Sequence, residues 1–248
     1  MLRLRGELGT VLARMQDIRT AFGTALRLLV TLDPELVEII TLSLGVSLGA
    51  LLLAAAVGLP LGAAVALWPY RGRRFAATLL NALMGLPPVV VGLVVYVFLS
   101  RSGPLGGLGW LFTPRAMIAV QFVLITPIVA ALTRQVVEDL WEEYSELLRS
   151  LGAGRIRAIP TILIDGRHRL LTVLLAGFGR AIAEVGAVII VGGNIAHVTR
   201  VMTTAIALET RKGDLALALA LGIVLLGISL LVNAGAALAA EFAREREA

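Results

Sequence analysis

Arg180 and Glu184 stand four residues apart in a stretch, Leu170 to about Ile195, that is otherwise apolar. Four residues is about one helical turn, so a helix puts both side chains on one face. A lone charge in such a stretch costs several kcal/mol in a low-dielectric setting; such groups pair, face protein or water, and mark function. Two readings follow: a bridge that holds helices together, or part of an anion path in which Arg180 screens the repulsion from Glu184. Just beyond, Gly192-Gly193-Asn194 tolerates positive φ, which suits either a helix C-cap or a nest of amides that holds an oxyanion. Arg200, Thr203 and Thr204 follow and are expected on the outer side, as an entrance lining or as a solvated surface. Pro87 and Pro88 interrupt a second apolar stretch. Proline removes a helical hydrogen bond, and broken membrane helices persist where they line a cavity, so a gate and a passive kink are both open. Pro60 and Pro127 are weaker instances of the same feature.

This is the chemistry of binding and gating, not of bond making. The chain has no cysteine and only two histidines, His168 and His197. It contains no His-Glu-x-x-His and no Gly-x-x-x-x-Gly-Lys-Ser/Thr, so no catalytic metal, cofactor or ATP site is expected, and any ATP-derived work needs a separate subunit.

The elements that carry these residues are set by lipid. Of 248 residues, 58% are hydrophobic and 16% charged, against about a quarter charged in soluble domains. Mean hydropathy is +0.91. A bilayer core takes about 20 apolar residues of helix, which predicts an all-α, polytopic membrane protein with five spans, near 36–67, 75–100, 115–133, 170–193 and 214–240. Asp33, Pro34 and Glu35 mark the start of the first, as cap, first-turn proline and dipole-matched acid. Before it, residues 1–32 repeat apolar side chains every three or four positions between arginines. That pattern predicts an amphipathic helix on the membrane surface rather than a sixth span, since its apolar core is short and contains Arg27. The net charge of +5 is almost all arginine, Lys212 being the one lysine, and no aromatic-interleaved basic patch argues for nucleic acid. Arg71, Arg73 and Arg74, the arginines between Arg149 and Arg169, and the basic tail fall on one side for an odd number of spans. The positive-inside rule makes that side cytoplasmic and leaves the amino terminus outside.

Residues 134–169 are too long for an ordinary connection between neighbouring helices, about 2–8 residues. Acids fill the first half and arginines the second, with a break at Gly152 to Gly154. A short helix, a turn and a second helix fit, either as a dock for a soluble partner or as a solvated loop. Glu146, Gly152 and Ile162 hold the spacing of the EAA loop of ABC importer permeases, which this segment resembles; Leu147 and Leu148 replace its alanines, and Ile164-Asp165 stands where that loop has Leu-Pro. The resemblance implies that Glu146, Leu147, Leu148, Leu151, Gly152 and Ile162 belong to a coupling helix that docks on an ATPase subunit.

Gly179 to Asn194, Thr199 to Thr210, Lys212 to Asp214 and Gly85 to Gly92 resemble the tungstate branch of molybdate/tungstate ABC permeases, and the likeness runs from about Asp33 onward. It implies the type I ABC importer permease fold in the inner membrane, a homodimer, cytoplasmic ATPase subunits and an extracytoplasmic oxyanion-binding protein. On that reading Pro87, Pro88, Arg180, Glu184, Gly192, Gly193, Asn194, Thr203 and Thr204 are the pathway or gate candidates. A permease for another oxyanion such as sulfate is the alternative. A stand-alone channel or secondary transporter lacks its usual support here, since neither matching halves nor a relay of acids is present. The orientation is testable with a reagent that cannot cross the membrane. Thr10→Cys is expected to react in intact cells and Ser150→Cys only after permeabilisation; the opposite pattern would reverse the topology.

Overall fold

The computed structural model describes residues 20–67, 71–150, 152, 154, 155 and 157–245. Most of the expected surface helix, and the docking candidate Leu151, lie outside these residues. Ten α-helices run through the described chain: α1 (Thr20–Thr31), α2 (Pro34–Leu67), α3 (Arg73–Leu83), α4 (Pro88–Leu99), α5 (Pro114–Ser150), α6 (Ile159–Asp165), α7 (Arg167–Ile182), α8 (Gly186–Gly192), α9 (Met202–Lys212) and α10 (Leu215–Glu245). A 3₁₀ turn covers Gly106–Leu108, and no strand occurs among the described residues. Helices α2, α5 and α10 are each long and apolar enough to cross a bilayer, and the bent pairs α3–α4 and α7–α8 each pass the same test together. Counting each pair as one crossing makes five.

Two expected spans are therefore broken rather than continuous, with bends of 97° at residues 84–87 and 58° at 183–185. The first break has a local cause. Pro88 drives the residue before it into extended backbone, and Pro87 sits at ψ 118; Pro88 then opens α4 at a position where its missing N–H does no harm. Pro60 and Pro127, by contrast, lie inside α2 and α5, which continue through them. The start of α2 follows its residues closely, with Asp33 Oδ1 accepting the amides of Glu35 (3.0 Å) and Leu36 (3.3 Å).

The third span departs from expectation at its far end. Instead of stopping near Thr133 and giving way to a separate short helix, α5 runs unbroken to Ser150. At 1.5 Å per residue its 37 residues reach about 55 Å, well beyond the roughly 30 Å of hydrocarbon. The extension is held by its own apolar face, where Val137, Leu140 and Trp141 bury against Ala63, Ala66 and Leu67 of α2 and Ile162 of α6.

What aligns α5 is a stripe of small residues on α2. Ala50, Ala54, Gly58, Gly62 and Ala66 recur every four positions and are all buried. A Cβ at Gly58 would stand 2.9 Å from Val129 Cγ1, and one at Gly62 would meet the Ala130 carbonyl and lie 2.8 Å from Thr133 Cβ. Lipid removes the hydrophobic drive between helices, so close backbone approach across small residues does the holding. At the Leu67 end Glu138 of α5 fastens the seam by pairing with Arg73 of α3 (2.8 Å) and Arg134.

Helix α9 returns into the bundle. The Met202 amide donates to Ser43 Oγ at 2.7 Å, about 15 Å along α2 from Asp33. Arg200 and Glu209, by contrast, lie near the Asp33 end, with Arg200 3.3 Å from Glu35 and 3.9 Å from Glu209. So α9 begins deep and climbs to the Gly213 turn, where φ is +87, before α10 recrosses. For the seam, Gly62→Ala is expected to destabilise the protein by about 1–3 kcal/mol, as overpacking does. Gly45→Ala, whose Cβ meets nothing within 4 Å, should leave the detergent melting temperature unchanged or raise it.

Candidate functional site

The two breaks face each other. A Cβ at Gly92 of α4 would lie 2.8 Å from Ala187 Cα of α8, and one at Gly186 would lie 2.9 Å from Val89 Cγ2 and 3.6 Å from Glu184 Oε1. Only glycine lets the two half-helices approach this closely. Around this contact the starts of α4, α8 and α9 converge, and a helix start carries partial positive charge and unpaired amides.

Each end is treated differently. The spacing of Arg180 and Glu184 predicts one continuous helix through both; in the structure α7 ends at Ile182 and Glu184 lies in the break. The pair forms nonetheless, Arg180 Nη1 donating to Glu184 Oε2 at 2.5 Å. The other carboxylate oxygen accepts the Ala187 amide at 3.0 Å, so Glu184 caps α8 from the preceding turn. Its carbonyl accepts Thr203 Oγ1 at 2.9 Å. Glu184 is 5% exposed, whereas the Arg180 side chain is 36% exposed, so the acid is locked inward and the cation keeps an open side. Ser43 caps α9 from α2, accepting the Met202 amide while its own hydroxyl donates to Ile39 O. No side chain caps α4, and Val89 and Val90 in its first turn are exposed.

Gln121 was not among the residues singled out by type and spacing. It lies buried in α5 and donates from Nε2 to the Ala181 carbonyl at 3.1 Å, tying α5 to the end of α7. The signal available in the sequence was an amide side chain in a stretch otherwise made of apolar residues and threonines.

Thr203 and Thr204 do not line an outer entrance. Both are buried, and Thr204 Oγ1 donates to Asn194 Oδ1 at 2.9 Å. The Gly192-Gly193-Asn194 stretch has the geometry of a helix C-cap: Gly193 has φ +72, and its amide donates to Ile189 O at 2.9 Å. A side chain at Gly193 would collide with Phe112, whose own amide donates to Val191 O.

At the far end of α5, Glu146 and Leu147 are exposed and Leu148 is half-buried. Gly152 has φ +77, and a Cβ there would meet nothing within 4 Å, so the glycine serves backbone conformation rather than close approach. Ile162, grouped with the docking residues by spacing, is 1% exposed and anchors α6 to α5 and α2. Trp141, another residue not singled out, carries the guanidinium groups of Arg149 and Arg155 at 5.6 and 5.9 Å from its ring centre. These cation–π contacts fold the loop beyond Ser150 back onto its helix.

Residues 58–242 match the family of binding-protein-dependent transport system inner membrane components. The chain is 44% identical over 220 residues to the tungstate uptake system permease protein of Peptoclostridium acidaminophilum, covering 89% of this chain and 96% of that one. It is 42% identical over 204 residues to a probable anion ABC transporter permease protein of Haloferax volcanii, covering 80% and 88%. It is 39% identical over 164 residues to the tungstate uptake system permease protein of Campylobacter jejuni, covering 66% and 69%.

The Arg180–Glu184 geometry makes the two residues interdependent. Glu184→Gln leaves Arg180 without its counter-charge, and an expected loss of about 1–3 kcal/mol follows, the scale for a charged hydrogen bond. The Arg180→Met, Glu184→Gln pair should regain part of that loss, read as detergent melting temperature and yield. A double variant less stable than Glu184→Gln would mean that the pair is not a mutual bridge.

Proposed function

The chain belongs to the family of binding-protein-dependent transport system inner membrane components, and from that premise we propose that it is the membrane-spanning subunit of an ATP-driven importer for tungstate or molybdate, working as a homodimer. The observation that carries this reading is the likeness, over nearly the whole chain, to a permease of a tungstate uptake system. The geometry supports it. Arg180 keeps an open side while Glu184, the acid beside it, is buried and paired, so the exposed charge at this break is positive. That arrangement holds a tetrahedral dianion weakly, and a conduit needs contacts weak enough to release its cargo.

Pairing supplies the second wall of the path, and the end carrying Gly152 faces the cytoplasm, where the ATPase subunits dock. An extracytoplasmic binding protein delivers the anion at the Asp33 end. Closure of the ATPase pair draws the two docked loops together. Helix α5 transmits the movement because it is one rigid element, with Glu146 near its far end and Gln121 at the α7 break, about 37 Å apart.

Permease, ATPase and binding protein reconstituted in liposomes are expected to accumulate tungstate, with molybdate an equal or poorer substrate, when ATP is supplied; the metal is counted by mass spectrometry. Entry of sulfate with neither tungstate nor molybdate would replace the cargo assignment. Gly152→Trp is expected to lower uptake at least tenfold with permease yield and melting temperature little changed, because the residue stands outside the packed bundle. Normal uptake by that variant would remove the loop from the coupling path.

A further inference from the structure

Where α2, α5, the end of α7 and the start of α9 meet, they surround a small cavity of about 10 Å³. Every residue that lines it is buried. Much of the lining is polar: Ser43 and Ser47 from α2, Gln121 from α5, Glu184 from the break and Thr203 from α9. Most of these groups are already engaged. The Ser43 and Thr203 hydroxyls each donate to a backbone carbonyl, and both carboxylate oxygens of Glu184 accept a donor. Two groups are not engaged. Gln121 is 4% exposed; its Nε2 donates to the Ala181 carbonyl, and the amide nitrogen is the only end that can donate. That fixes Oε1 toward the cavity side, where it has no partner among the described residues. Ser47 is 3% exposed, and its hydroxyl makes no hydrogen bond among the described residues.

We propose that this cavity binds one ordered water, which donates to Gln121 Oε1 and bonds the Ser47 hydroxyl, tying α5 to α2 beside the α7–α8 break. The size fits, since a cavity needs roughly 10–15 Å³ to hold a water with two to four polar partners. Free lone pairs on the Ser43 and Thr203 hydroxyls complete the set. Buried polar groups are paired with protein or with water, and the two unengaged groups here share one space. Charge favours neutral water over a metal cation. Glu184 is the one acid that lines the cavity, and Arg180 already neutralises it, so a cation would be buried without a counter-charge. Broken membrane helices persist where neighbouring side chains and ordered waters satisfy the groups that the break frees. Gln121 holds the Ala181 carbonyl at the end of α7, and the water in turn completes Gln121.

Brief X-ray radiolysis of the full chain in nanodiscs makes hydroxyl radicals wherever water is held, so a buried side chain is oxidised only where water lies beside it. Met202 and Met117 are both 0% exposed, but Met202 lines the cavity and Met117 lies in the core against α8. Met202 is expected to oxidise at least tenfold faster than Met117, read by peptide mass spectrometry. Equal rates would overturn the proposal. Ser47→Val, which puts methyl groups in place of the hydroxyl and fills the space, should bring Met202 down to the Met117 rate. Unchanged oxidation of Met202 in folded Ser47→Val would refute the site. The wild-type ratio needs no variant, so it decides the matter if Ser47→Val fails to fold. A melting temperature that rises with sodium chloride but not with choline chloride at equal ionic strength would put a cation in the cavity and overturn the assignment to water.

Discussion

A helix broken inside a bilayer leaves amides and carbonyls that no water reaches, and each must find a partner in the protein. That constraint organises the middle of this molecule. Glu184 caps α8 with one oxygen and holds Arg180 with the other, while its carbonyl takes the hydroxyl of Thr203. Gln121 meets the carbonyl of Ala181 at the end of α7, and Ser43 meets the amide that opens α9. Four separate elements contribute to closing one break and one re-entrant start. The first turn of α4 closes differently: no side chain caps it, Pro88 has no N–H to satisfy, and the Val90 and Val91 amides donate to the Pro87 carbonyl.

The second organising feature is the contact between α2 and α5. Small residues spaced by four let the two backbones approach, and this close contact makes a long α5 useful: a helix that extends beyond the bilayer moves as a unit only if it is held along its length. The Glu138 pairings and the Leu140–Ile162 cluster continue the grip beyond the seam. The Trp141 stack belongs to that extension, so the loop beyond Ser150 is held on the same element that carries Gln121.

Some of this was legible in the residues and some was not. Uncharged stretches long enough for lipid, the Asp33-Pro34-Glu35 start and the Pro87-Pro88 break are local signals, each decided by a few neighbouring residues, and the fold carries all three. The break at 183–185 has no proline to announce it. Only Glu184, three residues before the amide it caps, and the approach of Gly186 to Val89 hint at it, and both are recognisable once α4 is in place. Thr203 and Thr204 follow a stretch that ends at the Asp33 end, and order along the chain puts them on the surface; the return of α9 buries them instead. Ile162 keeps a motif's spacing, yet spacing does not say which side of a short helix faces the core.

The sequence by itself determined that this chain lives in lipid, that it is helical, where its charges cluster and which family it joins. These follow from composition, local periodicity and long runs of matching residues, none of which needs a partner distant in the chain. Tertiary structure alone decided which polar side chains close the broken helices, that α9 turns back into the bundle, and that α5 continues as one rod to Ser150. Those outcomes depend on contacts between residues 60 to 160 positions apart, such as Gln121 with Ala181 and Ser43 with Met202. Such pairings become apparent only when the small-residue seam and the glycines at the crossings have set the distances between helices.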